Sequence, residues 1–181
     1  MIGTGNGISQ SGIMKIRVGI IVLSDKAARG EREDRSGPAL KELVEGEGWK
    51  VEKLLVLPDE EEELRKAILK MIDSDGVDLV LTSGGTGLGP RDITPEVTAQ
   101  VMEKEVPGIG ELLRIKGYEQ TATAVLSRGC AGTRENSLIV NLPGSPKAVR
   151  ESWSLLREIV PHAIAVLRGE AHECGNGNIE T

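Results

Sequence analysis

The chain has 181 residues, 39% hydrophobic and 28% charged, with a formal net charge of −6. That length suits one compact domain with a sizeable core, and the negative charge argues against a nucleic-acid partner. Aromatics are scarce (no Phe, one Tyr, two Trp), so the core must be Leu, Ile, Val and Ala, and base-stacking platforms are poorly supplied. Two cysteines, Cys130 and Cys174, are too few for a disulfide framework, and no CxxC or Cys/His cluster suggests zinc. A reducing compartment, the cytoplasm, is expected. No apolar run is long enough to span a bilayer, and the opening MIGTGNGISQSGIMK lacks the regions of a signal peptide. No membrane partner is expected.

The first 14 residues are Gly/Ser-rich and expected to be a disordered extension. KIRVGIIVLS (15–24) is a continuous apolar, β-branched run, as in a strand buried on both faces. DKAARGEREDRSG is too polar and glycine-broken to be core. A helix is predicted from Pro38, with Leu40, Leu43 and Val44 on one side and glycine at its end. WKVEKLLVL (49–57) reads as a second strand. The segment 58–76 reads as a helix, with Leu64, Ala67, Ile68, Met71 and Ile72 at helical spacing and acids in its first turn. VDLVLTS (77–83) is a third strand running into a glycine loop. A helix follows over 94–105, with Thr94 as N-cap and Pro95 at the first helical position, then another over 107–120. TATAVLSRG (121–129) and NSLIVNLPG (136–144) resemble two further strands. Val149, Trp153, Leu156, Val160 and Leu167 mark a closing helix over 146–168. The tail from 170 to 181 is expected to be loose. The alternation of strands and helices predicts one α/β domain over 15–169, with the sheet in the middle.

Ligands of open α/β sheets bind outside the carboxyl ends of strands. Four loaded segments should fall there: SDKAARGEREDRSGP, LPDE, SGGTGLGPRD and NLPGSPK. GGTG can offer several backbone N–H groups to an anion. It is neither a Walker loop nor the GxGxxG signature, and a purely structural turn is an equal reading of it alone. Arg91 could pair with phosphate, and Asp92 could hold Mg²⁺. The alternative for Asp92 is a helix-entry cap or an ion pair with Arg91.

TSGGTGLGPRDITPEVT resembles the signature of the molybdenum-cofactor biosynthesis family typified by MogA and by the plant and gephyrin G domains. SDKAARGEREDRSGPAL, LPDE, PGIGELLR and AVLSRGCAGTRENSLIVNLPGSPKAV extend the match in order over roughly 17–167. The resemblance implies a three-layer α/β/α sandwich with a mostly parallel central sheet, usually trimeric. It implies adenylylation of molybdopterin by ATP with release of pyrophosphate, Mg²⁺ as cofactor, and other proteins of the pathway as partners. A non-catalytic molybdopterin carrier or scaffold is the alternative.

Residue by residue, the resemblance makes Asp59 and Asp92 catalytic, acting through Mg²⁺. Their alternatives are a helix N-cap and a loop ion pair. Gly84, Gly85, Thr86, Gly87 and Arg91 would hold nucleotide phosphates, with Asp25, Asp34, Ser36 and Gly37 bordering the same pocket. Ser127, Arg128, Asn141, Pro143, Gly144 and Ser145 would line the pterin end, although Ser145 could equally cap the last helix. His162 reads as packed or exposed rather than catalytic, and Cys130 as a small core residue.

Overall fold

The computed structural model describes residues 14–170. The expected disordered extension and loose tail lie outside the described residues, Met14 and Glu170 apart. A six-stranded sheet forms the middle layer: β1 (Arg17–Leu23), β2 (Lys50–Leu57), β3 (Leu79–Ser83), β4 (Lys104–Glu105), β5 (Ala131–Arg134) and β6 (Ser137–Leu142), in the order β2-β1-β3-β6-β5-β4. The first four in that order are mutually parallel, and β5 and β4 are added through antiparallel pairings. The sheet is therefore mixed, mostly parallel, and covered by helices on both faces. Among the described residues no helix is long and apolar enough to cross a membrane.

The unbroken apolar runs follow from that burial. Along β1, Val18, Ile20 and Val22 enter one core and Ile21 and Leu23 the other. β6 divides in the same way, Leu138, Val140 and Leu142 against Ile139. The first core is closed by α2 (Ser36–Gly46), α5 (Pro107–Tyr118) and α6 (Pro146–Leu167), and it includes Trp49 and Trp153 edge-to-face with ring centroids 5.4 Å apart. The second is closed by α3 (Glu61–Leu69) and α4 (Thr94–Val101). Each fully buried Leu or Ile contributes about 1.5–3 kcal/mol.

Several elements depart from the sequence-based expectations. TATAVLSRG is not a strand: Ala122–Leu126 is a 3₁₀ turn, with Val125 and Leu126 about half exposed. The strand lies just beyond, in AGTR, where small residues are required. A Cβ on Gly132 would stand 2.3 Å from Met102 Sδ and 2.7 Å from the Lys104 carbonyl. The helix expected over 94–105 stops at Val101, and Lys104–Glu105 instead pairs with β5. Thr94 is the first helical residue rather than the cap, which is Ile93, and its hydroxyl donates to the Gly84 carbonyl at 2.9 Å. The helix α2 starts two residues before Pro38, because Asp34 Oδ1 accepts from the N–H groups of Ser36 and Gly37. The 58–76 helix begins at Glu61 and ends in a π-turn, Lys70–Ser74. DKAARGE folds only a single turn, α1 (Asp25–Ala28), with no buried residue.

Candidate functional site

The parallel strands β1, β2, β3 and β6 end on the same edge of the sheet, and there the loops are bonded to one another. The Ser24 N–H donates to Leu57 O at 2.9 Å, the Gly84 N–H to Leu142 O at 3.1 Å, and Ser83 Oγ to Pro143 O at 3.0 Å. From β1 the chain leaves for α2 on one face. From β3 it leaves for α4 on the other. The crevice between β1 and β3 is thus a topological switch point.

A cavity of about 790 Å³ opens at that crevice. It gathers Asp34, Ser36, Asp59, Gly84, Gly85, Thr86, Gly87, Asp92, Gly144 and Ser145 of the predicted residues, with Arg32 and Arg35. Gly37 is buried behind Asp34: a Cβ there would stand 2.4 Å from Asp34 Oδ2. The glycine loop can take its path only without side chains. Gly84 and Gly85 have φ of 100° and 64°. A Cβ on Gly84 would meet Leu23 O at 2.4 Å, and one on Gly85 would meet Thr94 Oγ1 at 2.3 Å. The N–H groups of Gly85, Thr86 and Gly87 have no acceptor among the described residues, which suits a bound anion.

Two carboxylates flank the loop. Asp59 Oδ2 accepts from the Asp25 N–H at 3.0 Å, and Asp25 Oδ1 accepts from the Asp59 N–H at 3.1 Å. Burial pushes the Asp59 carboxyl above its ordinary pKa, and the charges of Asp25 and Asp92 act in the same direction. Asp25 is held below its ordinary value by the Arg91 guanidinium first and the Asp59 N–H second. Asp92 Oδ2 accepts from the Gly89 N–H at 2.8 Å and lies 2.9 Å from where a Cβ on Gly87 would stand. The caps considered for these two residues are absent: α3 is entered through Glu60 and α4 through Ile93. Nor does Arg91 pair with its neighbour Asp92. It forks onto Asp25 at 3.1 and 3.0 Å and reaches Glu60 at 2.8 Å. Neither Asp25 nor Arg91 is on the cavity wall.

A second, more apolar cavity of about 700 Å³ adjoins the first, and the two share Thr86, Gly87 and Ser145. Ser127, Asn141 and Pro143 line it, as expected of the pterin end; Gly144 falls in the first cavity instead. Asn141 is 3% exposed and bonds inward, donating to the hydroxyls of Thr82 and Thr98 and accepting from the Cys130 N–H. Arg128 lies outside both cavities. Its guanidinium donates to Gly87 O at 2.7 Å, to Asp92 O at 2.7 Å and to Glu96, and so clamps the glycine loop. Ser145 takes both of its readings: it caps α6, accepting from the Ala148 N–H at 3.2 Å, and it sits where the cavities meet. Cys130 is half-buried, with a thiol pushed up by burial.

Sequence reasoning misses three arginines. Arg32 and Arg35 sit in a stretch that reads as a solvated loop, although that loop leaves the end of a central strand. Arg114, in PGIGELLR, lines the second cavity and donates to Gly129 O at 2.9 Å. Among the described residues no group of three or more His, Cys, Asp or Glu could hold a metal ion. The protein donors available to a cation in the first cavity are therefore few. Mg²⁺ fits such a set, because it keeps several waters and completes its shell with one or two carboxylates and substrate phosphates.

The comparisons agree with this geometry. The family model described as "probable molybdopterin binding domain" matches residues 19–162. A molybdopterin adenylyltransferase of Helicobacter pylori strain J99 is 39% identical over 173 residues, covering 91% of this chain and 95% of that protein. One from Escherichia coli K12 is 34% identical over 169 residues, covering 85% and 86%. The crystal structure of the molybdopterin biosynthesis enzyme MoaB from Thermus thermophilus superposes with a TM-score of 0.81 at 45% identity, covering 87% of this chain and 99% of that one. A shared fold, a glycine loop between two cavities and identity sustained over most of the length leave one assignment: the chain belongs to the molybdopterin-binding domain family of molybdenum cofactor biosynthesis.

Proposed function

We propose that the protein is a molybdopterin adenylyltransferase of molybdenum cofactor biosynthesis, acting in the cytoplasm. The reaction joins ATP and molybdopterin into adenylyl-molybdopterin and pyrophosphate. A terminal phosphate oxygen of molybdopterin attacks the α-phosphorus of ATP; the bond from that phosphorus to the β-bridging oxygen breaks, and pyrophosphate leaves with the electron pair. The observation that carries this reading is the pair of adjoining cavities. One is polar and walled by Asp59, Asp92, Arg32 and Arg35; the other is more apolar; they meet at Thr86, Gly87 and Ser145.

Attacking and leaving groups are both anionic, so catalysis is chiefly positioning and charge compensation. The free N–H groups of Gly85, Thr86 and Gly87 hold nucleotide phosphates at the junction. Arg32 and Arg35, on the wall of the same cavity, offset their charge. Asp59 and Asp92 hold Mg²⁺, which when bound neutralises phosphate oxygens that carboxylates alone would repel. Ser127, Pro143 and Arg114 border the space left for the pterin.

The test mixes the full chain with ATP, Mg²⁺ and molybdopterin and follows pyrophosphate and the adenylylated pterin. Stoichiometric release of both supports the reading. Tight molybdopterin binding without turnover would make the protein a carrier. A homotrimer is part of the same proposal. Ile115, Tyr118, Val125 and Leu126 are about half exposed or more on α5 and the turn after it, and light scattering giving a monomer mass at all concentrations would remove it.

A further inference from the structure

Arg91 stands next to a candidate phosphate loop, yet its guanidinium is engaged elsewhere. Nε and Nη2 grip both oxygens of Asp25 at 3.1 and 3.0 Å, and Nη2 also reaches Glu60 at 2.8 Å. Asp25 follows β1, Glu60 follows β2, and Arg91 follows β3, so one planar group ties three strand-end loops together. From Asp25 the chain of contacts continues to Asp59 through two reciprocal bonds, side chain to backbone in each direction at 3.0 and 3.1 Å. The Asp59 carboxylate is on the cavity wall, whereas Asp25 and Arg91 are not. For Arg91 to grip a phosphate in the cavity, it would have to surrender two ion pairs.

We propose that Arg91 is a positioning residue: by holding Asp25, it fixes the Asp59 carboxylate at the wall of the first cavity. This rests on the adenylyl-transfer reading for its kinetic consequence, but not for its geometry. A guanidinium fork can span both oxygens of Asp25 and still reach Glu60, and an ammonium cannot. Lysine at this position therefore keeps the charge and loses the alignment. A phosphate contact would be largely preserved by that replacement, since lysine serves phosphates as a point charge.

The test uses the full chain with Arg91→Lys, Arg91→Gln, Asp25→Asn and the double variant Asp25→Asn/Arg91→Gln. Without substrates, amide hydrogen exchange is read by NMR at Asp25 and Asp59, with Ile20 and Leu81 in the sheet as references. Exchange at Asp25 and Asp59 should rise about tenfold in both Arg91 variants, the scale of one lost charge-assisted bond, with the references unmoved. In pyrophosphate release, kcat should fall about 10–100-fold, the usual cost of losing a residue that orients a ligand side chain. The KM for ATP should stay within about threefold, and the double variant should be no worse than the poorer single one. Unchanged exchange at Asp25 and Asp59 in both Arg91 variants, with KM for ATP raised in Arg91→Gln but not in Arg91→Lys and kcat unchanged, would overturn the proposal and make Arg91 a phosphate contact. If the parent protein releases no pyrophosphate, the adenylyl-transfer reading fails, and the exchange measurement still decides the role of Arg91.

Discussion

Asn141 reads from sequence as a pterin contact, but the structure makes it a structural hub whose loss should cost the fold first. Its Nδ2 donates to Thr82 Oγ1 at 3.0 Å and to Thr98 Oγ1 at 2.9 Å, and its Oδ1 accepts from the Cys130 N–H at 3.2 Å. Both threonines are fully buried. Asn141→Ala removes these three bonds, together with a weaker one from the Cys130 thiol to Oδ1 at 3.2 Å, and strands buried partners, at about 1 kcal/mol for each of the first three. The expected loss is about 3 kcal/mol, which for a chain of this size lowers the thermal midpoint by about 6–12 °C. Calorimetry and urea unfolding should agree on it. In a Thr98→Val background the same replacement should cost about 1 kcal/mol less, because one of the stranded partners is already gone. A midpoint within about 2 °C of the parent, well short of that expected drop, combined with a large loss of pterin affinity would refute the hub and restore the contact.

Four further outcomes are expected. Asp59→Asn and Asp92→Asn should each lower turnover about 10²-fold, the scale of a lost transition-state charge contact, and the double variant should fall short of the product. Asp59→Asn should also raise the thermal midpoint at pH 7. The folded Asp59 carboxyl binds its proton more tightly than the unfolded one, so its stabilising contribution is present below the ordinary carboxylate pKa and is lost as pH rises through the folded value. Asp25 runs the other way, its contribution being lost as pH falls through a depressed value; midpoints recorded from pH 3 to 8 separate the two, and an Asp59→Asn midpoint below the parent at pH 7 would contradict the sign. Gly84→Ala meets the Leu23 backbone carbonyl at a positive φ, and should cost about 3 kcal/mol or more, measured by urea unfolding. Arg128→Gln should lower kcat while leaving molybdopterin affinity within about threefold, because its guanidinium holds the loop carbonyls of Gly87 and Asp92 from outside both cavities.

What was legible in the sequence follows from where each element sits. KIRVGIIVLS and NSLIVNLPG announce themselves because a parallel strand covered on both faces must be apolar at nearly every position. AGTR does not, because it lies toward the sheet edge and is selected for smallness against Met102. TATAVLSRG alternates apolar and polar residues as a strand would, yet it packs as a turn against α5, where Gly117 admits Ala124 at 2.8 Å from an added Cβ. Asp59 and Asp92 stand out in the sequence through the family resemblance and through their places after β2 and β3, and the structure brings both to the wall of the first cavity. The partners of the arginines were not. Arg91 meets Asp25 across 66 positions and Arg128 meets Gly87 across 41, and local pattern carries no trace of such pairings.

Those distant pairings resolve a conflict built into the glycine loop. Its shape needs residues without side chains, since Gly84 and Gly85 sit at positive φ with neighbours where a Cβ would be. Glycines carry the largest backbone entropy, so a loop made of them alone would wander, which the proposed phosphate site could not tolerate. The rigidity is supplied from outside. Thr94 fixes the Gly84 carbonyl, Arg128 fixes those of Gly87 and Asp92, and Arg91 joins the loop to Asp25 and Glu60. Every one of these contacts uses a carbonyl or a carboxylate and leaves the N–H groups of Gly85, Thr86 and Gly87, all of cavity-lining residues, without an acceptor among the described residues. Side chains therefore add to the order that the backbone bonds from Gly84 N–H to Leu142 O and from Thr94 N–H to Gly85 O begin, and Asp59 and Asp92 stay on the cavity wall, where the proposed reaction between two anions would need them.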